Sequence, residues 1–142
     1  MQRIHDVLHG AATTAADAVG WIADDRKIRF AEMDAWSDRV ASGLLRLGIR
    51  RGDRVAVNGP NTPEWLAVYF AAAKIGAVVV GLSVRYRETE FARILGDSGS
   101  RAVVTVPSSE GIDFLQMLAG AKSSSAAGSR SDLRRRRRPP AR

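Results

Sequence analysis

The stretch RGDRVAVNGPNTPEWLAVYFAAAKIGAVVVGL, residues 51–82, decides the fold because it contains a complete strand–helix–strand unit. Arg54–Asn58 is a short apolar run after a Gly–Asp turn, which is typical of a buried strand. Thr62–Ile75 predicts a helix, and the valine-rich run Ala77–Leu82 predicts a second strand that is covered on both faces. Two strands joined by a helix of this size pair in parallel through a right-handed crossover.

Residues with special backbone properties mark both ends of this helix. Thr62 offers an N-cap hydroxyl, Pro63 stands at the first helical position, and Glu64 faces the positive end of the helix dipole. Gly76 follows the helix and suits the left-handed conformation of a C-cap. Apolar residues occur on more than one side of the helix, so we expect a second layer to cover it.

Three elements are predicted before this unit. Ile4–Val19 is typical of an amphipathic helix, and Trp21–Asp24 with Lys27–Phe30 indicates a hairpin that turns at Asp25 and Arg26. Ala31–Leu47 has the clearest helical pattern in the chain. Its apolar stripe, which indicates core packing rather than a ligand-binding surface, consists of Met33, Trp36, Val40, Leu44 and Leu47.

Three more elements are predicted after the unit. Glu88–Asp97 indicates a helix whose inward residues are Phe91, Ile94 and Leu95. Arg101–Val106 predicts a third parallel strand, and Gly111–Leu118 predicts a last helix. The order of all these elements predicts an α/β fold with a partial three-layer αβα arrangement, mainly parallel strands and an N-terminal hairpin.

Segments in order between Ile28 and Val104 resemble the N-terminal part of the adenylate-forming superfamily, which includes acyl-CoA synthetases, peptide-synthetase adenylation domains and luciferases. Each segment alone is a weak match, but their order and close spacing make the resemblance specific. The segments are IRFAEMD (Ile28–Asp34), LLRLGIRRGDRVAV (Leu44–Val57), PNTPEW (Pro60–Trp65), AAKIGAVVVGLSVR (Ala72–Arg85) and ETEFARILGDSGSRAVV (Glu88–Val104). The first stands in the place of the family's L-T-Y-x-E-L motif, and the fourth stands in the place of its K-x-G-A-x-x-x-P-L-N-P motif.

The resemblance implies an acyl-CoA synthetase-like ligase, which activates a carboxylate with ATP and Mg²⁺ to an acyl-adenylate and then usually transfers the acyl group to coenzyme A. A fatty acid is the expected substrate class. Two residues depart from the family pattern: Arg29 replaces a capping Thr, and Gly81 replaces a Pro. Neither departure removes the fold, and both indicate a divergent member.

The family's phosphate loop, its adenine- and ribose-binding segments and its catalytic lysine find no counterpart in this sequence. We therefore expect residues 1–120 to be a truncated N-terminal part of such a ligase, catalytically incompetent alone, which binds none of the family's ATP, Mg²⁺ or coenzyme A. The sequence leaves open whether the chain is an enzyme, and it indicates no catalytic, cofactor-binding or metal-binding residue. The acyl chain length is equally open.

Three short patterns resemble functional sites, and each has another explanation that we favour. His5 and His9 stand four residues apart, which suits a shared metal, but no third ligand is evident, so surface histidines are favoured. Ser123–Ser129 is rich in serine but has no following Pro-Lys-Gly, so it does not predict a phosphate loop. Asn58–Asn61 lies at the carboxyl end of a strand, where α/β folds bind ligands, although its residues are also explained as a turn, which we favour.

Composition narrows the class of protein. Hydrophobic residues make up 45% and charged residues 26% of the 142 residues, which are ordinary values for a globular domain. Cysteine is absent, which excludes a disulfide framework and a cysteine metal site. No apolar run reaches the roughly 18 residues of a membrane helix, and the N-terminus lacks the apolar region of a secretory signal, so we expect a cytoplasmic protein.

The positive charge is confined to the end of the chain. Residues 1–120 contain 14 basic and 14 acidic residues, whereas residues 121–142 contain eight basic and one acidic residue, which accounts for the net charge of +7. Serine clusters, five consecutive arginines (Arg134–Arg138) and two prolines predict a disordered Arg-rich tail. Because this composition is typical of GC-rich DNA read in any frame, we hypothesise that the tail is out-of-frame sequence.

Two other classes of function were considered. The chain could be a non-catalytic α/β interaction module that associates with itself or with a full-length relative through an unpaired strand edge and apolar faces. Nucleic-acid binding through the tail is the weaker alternative, because no aromatic residues are interleaved with the arginines. Retention on a polyanion column that is lost on deletion of residues 121–142 would support it.

Overall fold

The structure is a computed structural model that describes residues 3–121. In chain order its elements are α1 (Ile4–Thr14), β1 (Val19–Ala23), β2 (Arg26–Arg29), α2 (Phe30–Arg46), β3 (Arg54–Asn58), α3 (Pro63–Ile75), β4 (Val78–Leu82), α4 (Glu88–Ser98), β5 (Ala102–Thr105), β6 (Ser108–Ser109) and β7 (Ile112–Asp113), followed by helical residues 114–121, called α5. The predicted disordered tail lies outside the described residues, except for Ala121 at the end of α5.

A three-stranded parallel sheet in the order β4-β3-β5 forms the centre of the fold. In the register of β3 and β4, Arg54 lies opposite Val78 and Asn58 lies opposite Leu82. In the register of β3 and β5, Val55 lies opposite Ala102 and Asn58 lies opposite Thr105. The predicted α/β class, the parallel pairing and the N-terminal antiparallel hairpin, formed by β1 and β2, are confirmed.

Helices cover both faces of β3, which makes three layers. Val55 and Val57 pack against Leu44 of α2 and against Val68 and Ala71 of α3. On the opposite face, Ala56 lies in a cluster that contains Leu82, Phe91 of α4 and Ala121 of α5. A separate cluster joins α1 and the β1–β2 hairpin to α2 and α3 through Leu8, Ile28, Met33 and Ala67.

The predicted ends of α3 are confirmed. The Thr62 hydroxyl accepts a hydrogen bond from the Trp65 N–H at 3.4 Å, and Pro63 occupies the first helical position. Gly76 ends the helix in the left-handed conformation, with φ of 73°. Its N–H donates to the Ala72 and Ala73 carbonyls, which would otherwise lack a partner at the helix end.

The predicted core stripe of α2 is wrong at one residue. Met33 and Leu44 are buried and Trp36 and Val40 are half-buried, but Leu47 is 76% exposed. The helix ends at Arg46 and the chain turns at Gly48, which has a φ of 86°. The turn carries Leu47 out of the core and places Ile49 in it, where the Ile49 N–H donates to the Leu44 carbonyl at 3.1 Å.

The predicted N-terminal helix and hairpin also need correction. α1 ends at Thr14 and not at Val19, because Val19 pairs with Arg29 in the hairpin. The hairpin turns at Asp24 and Asp25 instead of Asp25 and Arg26. Asp24 has a φ of 52°, a left-handed conformation that aspartate tolerates better than most side chains.

The expected coverage of β4 on both faces agrees with the structure. Val79 packs in the cluster with α2 and α3, and Val80 and Leu82 pack in the cluster with α4, although Val78 at the start of the strand is 50% exposed. One correction concerns the last predicted helix. The predicted last helix, Gly111–Leu118, begins three residues later, because β6 and β7 form a small hairpin that turns at Glu110 and Gly111. Asp113 then starts α5, since its carboxylate accepts the Gln116 N–H at 2.9 Å.

The start of α2 agrees with the prediction that Arg29 supplies no side-chain cap. The Glu32 carboxylate instead accepts the Arg29 N–H at 2.8 Å. The Asp6 carboxylate does the same for the N–H of Arg3 at 2.9 Å in α1. Each helix therefore has only one half of the reciprocal capping arrangement, because an arginine side chain cannot accept a hydrogen bond.

An ionic cluster ties α1, α2 and α3 together. The Lys74 ammonium group of α3 donates to the carboxylates of Asp34 and Asp38 in α2 at 2.6 Å each, and to the Asp34 carbonyl at 2.9 Å. His9 of α1 lies 3.0 Å from the second carboxylate oxygen of Asp34. Burial raises the pKa of Asp34, but hydrogen bonds from Lys74 and His9 outweigh that effect and hold the pKa below its ordinary value.

Replacing Lys74 should destabilise the fold. Lys74→Met should lower the free energy of unfolding by about 2 kcal/mol, because it leaves the largely buried Asp34 carboxylate without its main donor. Chemical denaturation followed by circular dichroism measures the change. Arg93→Gln is the matched control, since the Arg93–Asp97 pair is exposed and 3.5 Å apart and should change stability by less than about 0.5 kcal/mol. An equal loss in both variants would contradict a specific role for the cluster.

The lowered pKa of Asp34 predicts a pH dependence of stability. The carboxylate is favoured in the folded state, so its contribution is complete above the unfolded pKa of about 3.9 and is lost as the pH falls through the lower folded pKa. Asp34→Asn should therefore reduce stability at neutral pH and flatten its decline at acid pH. Denaturation midpoints measured from neutral pH down to the acid limit of folding test this, and parallel curves for the two proteins would refute it.

Candidate functional site

The carboxyl edge of the parallel sheet is the place where ligands bind in open α/β folds, at the point where successive connections leave to opposite faces. The connection after β3 leads to α3 on the Val55 and Val57 face, and the connection after β4 leads to α4 on the Ala56 face. The three strands end in register at Asn58, Leu82 and Thr105. The ends of β3 and β4 therefore form the candidate site.

Asn58 is a buried polar residue at this edge, with 2% of its surface exposed. Its side-chain N–H group donates to the Thr105 hydroxyl at 3.1 Å, and that hydroxyl donates to the Val106 carbonyl at 2.9 Å. The Asn58 side-chain oxygen is buried without a hydrogen-bond partner among the described residues. A buried acceptor left in this way costs about 1–3 kcal/mol, so it is a position that a hydrogen-bond donor would stabilise.

The loop that follows Asn58 starts α3, as the favoured interpretation of a turn predicts. Gly59 passes within 3.5 Å of the Val106 side chain, measured from an added Cβ. The guanidinium of Arg26 in β2 holds the Glu64 carboxylate at 2.9 Å. A backbone hydrogen bond, with a contribution from Arg26, holds the pKa of Glu64 below its ordinary value.

A small apolar groove lies beside the loop, between the β1–β2 hairpin and the start of α3. Its cavity volume is about 220 Å³. It is lined by Trp21, Ile22, Ala23, Asn61, Thr62, Pro63, Trp65 and Leu66. None of these side chains titrates near neutral pH, so the groove suits an apolar group with one or two hydrogen-bonding atoms and offers no acid–base chemistry.

Some of the cationic side chains near this edge already have partners among the described residues. Of the two lysines that they contain, Lys74 is held by two aspartates, and Lys27 is exposed on β2. The β4–α4 connection places Arg85 and Arg87 at the edge, although the Arg87 guanidinium donates to the Arg85 carbonyl at 3.0 Å. Sequence reasoning did not single out these two arginines, and their position after a predicted strand was the signal that could have found them.

The two histidines do not form a site together. The His5 ring lies 3.3 Å from the Asp6 carboxylate, and His9 lies 3.0 Å from Asp34. Within residues 3–121, no group of three or more His, Cys, Asp or Glu side chains is arranged to hold a metal ion. The Ser123–Ser129 segment lies outside the described residues. No helix in the described part of the chain is long and apolar enough to cross a membrane.

Comparison with known proteins identifies relatives of this chain. The family model described as AMP-binding enzyme matches residues 8–138. The long-chain-fatty-acid–CoA ligase FadD13 from Mycobacterium tuberculosis is 36% identical over 119 residues, which are 82% of this chain and 24% of the ligase. Triostin synthetase I from Streptomyces triostinicus is 34% identical over 112 residues, 79% of this chain and 21% of the relative.

A solved structure of a related ligase domain is similar to this chain in fold as well as in sequence. The inhibitor-bound N-terminal domain of FACL13 from Mycobacterium tuberculosis superposes with a TM-score of 0.71 and 36% identity. The match covers 74% of this chain and 27% of that domain. The chain therefore spans about a quarter or less of the length of the curated relatives, and it corresponds to part of an N-terminal domain.

The unpartnered oxygen of Asn58 leads to a prediction about stability. Asn58→Leu should leave the free energy of unfolding unchanged or raise it by up to about 1 kcal/mol, because it removes a buried acceptor without a partner. Thr105→Val should lower it by about 1–2 kcal/mol, because the Asn58 N–H group loses its acceptor. Urea denaturation of the two single variants and of the double variant measures both effects. A large loss in Asn58→Leu would show that the oxygen is already bound to a donor.

Proposed function

Because the chain belongs to the AMP-binding enzyme family, we propose that it supplies the opening part of an acyl-CoA synthetase-like ligase. Such a ligase would use ATP to convert a carboxylate into an acyl-adenylate and pass the acyl group to coenzyme A. The observation that carries the proposal is the superposition of 74% of this chain on the FACL13 domain at 36% identity. In this proposal the chain is scaffold, and its role is to hold the carboxyl edge of the sheet in place.

We propose a fatty acid as the substrate class. The support is the relative FadD13, which is named a long-chain-fatty-acid–CoA ligase and matches 82% of this chain. The groove between Trp21 and Trp65 is compatible with this class, since it is apolar and lies at the candidate edge. Its small volume fits only a short aliphatic segment, so most of a long chain would need to bind elsewhere.

We further propose that the chain is catalytically incompetent alone. The support is chemical: adenylation requires several cationic and backbone donors around the triphosphate. The Lys74 ammonium is already committed to Asp34 and Asp38, and the Arg87 guanidinium donates to the Arg85 carbonyl, which leaves the Arg85 guanidinium as the cation at the carboxyl edge. The Asn58 amide and the apolar groove can orient a neutral group but cannot neutralise phosphate charge. The residues that bind ATP and Mg²⁺ would then belong to parts of a complete ligase that this match does not include.

Pyrophosphate exchange tests separately whether the isolated chain is inactive and whether its residues can serve as the scaffold of an active ligase. The purified 142-residue chain should catalyse no exchange of pyrophosphate into ATP with fatty acids, whereas FadD13 serves as the active control. A chimera of FadD13 that carries residues 8–121 of this chain at the matching positions should retain exchange with fatty acids. Measurable exchange by the isolated chain would overturn the proposed incompetence. A folded chimera without exchange would overturn the proposal that these residues are a functional ligase scaffold.

A second candidate function is association with another polypeptide. It is favoured by one specific observation, the two outer strands of the sheet, each of which pairs only with β3 among the described residues. We propose that these edges make the chain an interaction module, for a second copy or for a longer relative. Association needs no nucleotide site, so it does not depend on the catalytic proposal.

A further inference from the structure

The outer edge of β4 carries backbone donors that pair with no other strand within residues 3–121. The Val78 N–H donates to the Asp53 carbonyl at 2.8 Å, which directs it toward β3. Because the direction of N–H and C=O groups alternates along a strand, those of Val79 and Gly81 point away from the sheet. Gly81 is exposed, and Val78 is 50% exposed, so this edge is accessible from solvent.

The outer edge of β5 also has backbone groups that point away from β3, although the residues of this strand are half-buried. The Arg101 N–H donates to the Arg54 carbonyl at 2.8 Å, so the backbone groups of Ala102 and Val104 point away from β3. A cavity of about 440 Å³ runs beside this strand. Its apolar walls come from α4, β5 and α5, and include Ala92, Leu95, Val103 and Leu118. A strand edge next to an apolar groove is the combination that accepts an added strand, because the groove receives alternate side chains.

The two edges also fit each other. They belong to one parallel sheet and run in the same direction, so a copy displaced sideways brings its β4 beside β5 in parallel register. β4 has five residues and β5 has four, and neither strand contains a charged residue or a proline. Natural sheet edges usually carry such residues, which oppose pairing. β4 contains three consecutive valines, which favour an extended strand.

We propose that β5 of one copy of this chain pairs in parallel with β4 of a second copy, which continues the sheet across the contact. The surfaces on the two copies differ, so each assembled unit still presents one free β4 edge and one free β5 edge. Such a heterologous contact does not close unless the rotation between copies forms a ring, and it therefore grows with protein concentration. The proposal deepens the proposed association and is independent of the ligase scaffold.

Two proline variants test the contact, because each removes an outward N–H and leaves the bonds to β3 in place. Val79→Pro blocks the β4 edge, and Ala102→Pro blocks the β5 edge. The unmodified chain should show a scattering mass that rises with concentration above the 15.3 kDa of one chain. Each variant alone should be monomeric, and an equal mixture of the two should form a heterodimer of about twice that mass. Circular dichroism and thermal melting confirm that each variant folds.

Controls distinguish this contact from other kinds of association. Ile22→Ser removes a side chain that is 70% exposed away from both edges, and should leave assembly unchanged. If Val79→Pro fails to fold, Val78→Lys places a charge on the same edge and should replace it in the mixture with Ala102→Pro. A chain that is monomeric at all concentrations overturns the proposal. So does a closed dimer in either single variant, or a mixture of the folded variants that stays monomeric. All these measurements are made without ATP or substrate, so they are independent of the exchange assay.

Discussion

The burial of β3 is the constraint on which the rest of the structure depends. Val55, Ala56 and Val57 are at most 3% exposed, although their side chains alternate between the two faces of the sheet. A strand of this kind is stable only when helices cover both faces. The connections after β3 and β4 therefore run on opposite faces, α3 on one and α4 on the other. The carboxyl edge where these connections diverge follows from the same requirement.

Asn58 shows what this burial costs at the end of the strand. Because side chains alternate between the two faces of a strand, Asn58 lies on the same face as Ala56, which α4 covers. Its amide is therefore buried together with its apolar neighbours. Thr105 satisfies the amide N–H group because β5 ends in register with β3, but the amide oxygen finds no partner in the described part of the chain. A polar residue there weakens the isolated fold by about 1–3 kcal/mol, a substantial part of the stability of a small domain. Lys74 has the opposite effect, since its largely buried ammonium group pairs with the largely buried Asp34 carboxylate and joins α3 to α2, while His9 links α1 to the same carboxylate.

The sequence predicted most of the elements because their boundaries depend on neighbouring residues. Thr62, Pro63 and Gly76 define α3 within one stretch, and the apolar runs on either side define β3 and β4. The errors arose where the end of an element depends on a pairing partner that is not adjacent in the sequence. Val19 leaves the helical pattern because it pairs with Arg29, and Ile112 and Asp113 leave the predicted last helix because they pair with Ser109 and Ser108.

The candidate site was harder to predict for the same reason. The loop at Asn58 was recognised from its place after a strand, but the unpartnered oxygen depends on Thr105, which lies 47 residues away. The Lys74 cluster depends on residues 36 and 40 positions earlier in the chain. Three-dimensional pairing of this kind leaves no periodic pattern in a single sequence.

The number of strands in the described sheet sets how far each of them is covered. A three-stranded parallel sheet has one interior strand and two outer strands, and each strand added at an edge turns one outer strand into an interior strand. Here the interior strand is fully covered, while Val78 on β4 stays half exposed. The number of strands also bears on the site, because a ligand at the carboxyl edge of such a sheet is bound by loops from several neighbouring strands. Any strand that pairs in parallel with β4 or β5 would therefore turn an outer strand into an interior strand and also bring a further loop to the carboxyl edge, so coverage of the sheet and the number of loops around the site follow from the same geometry.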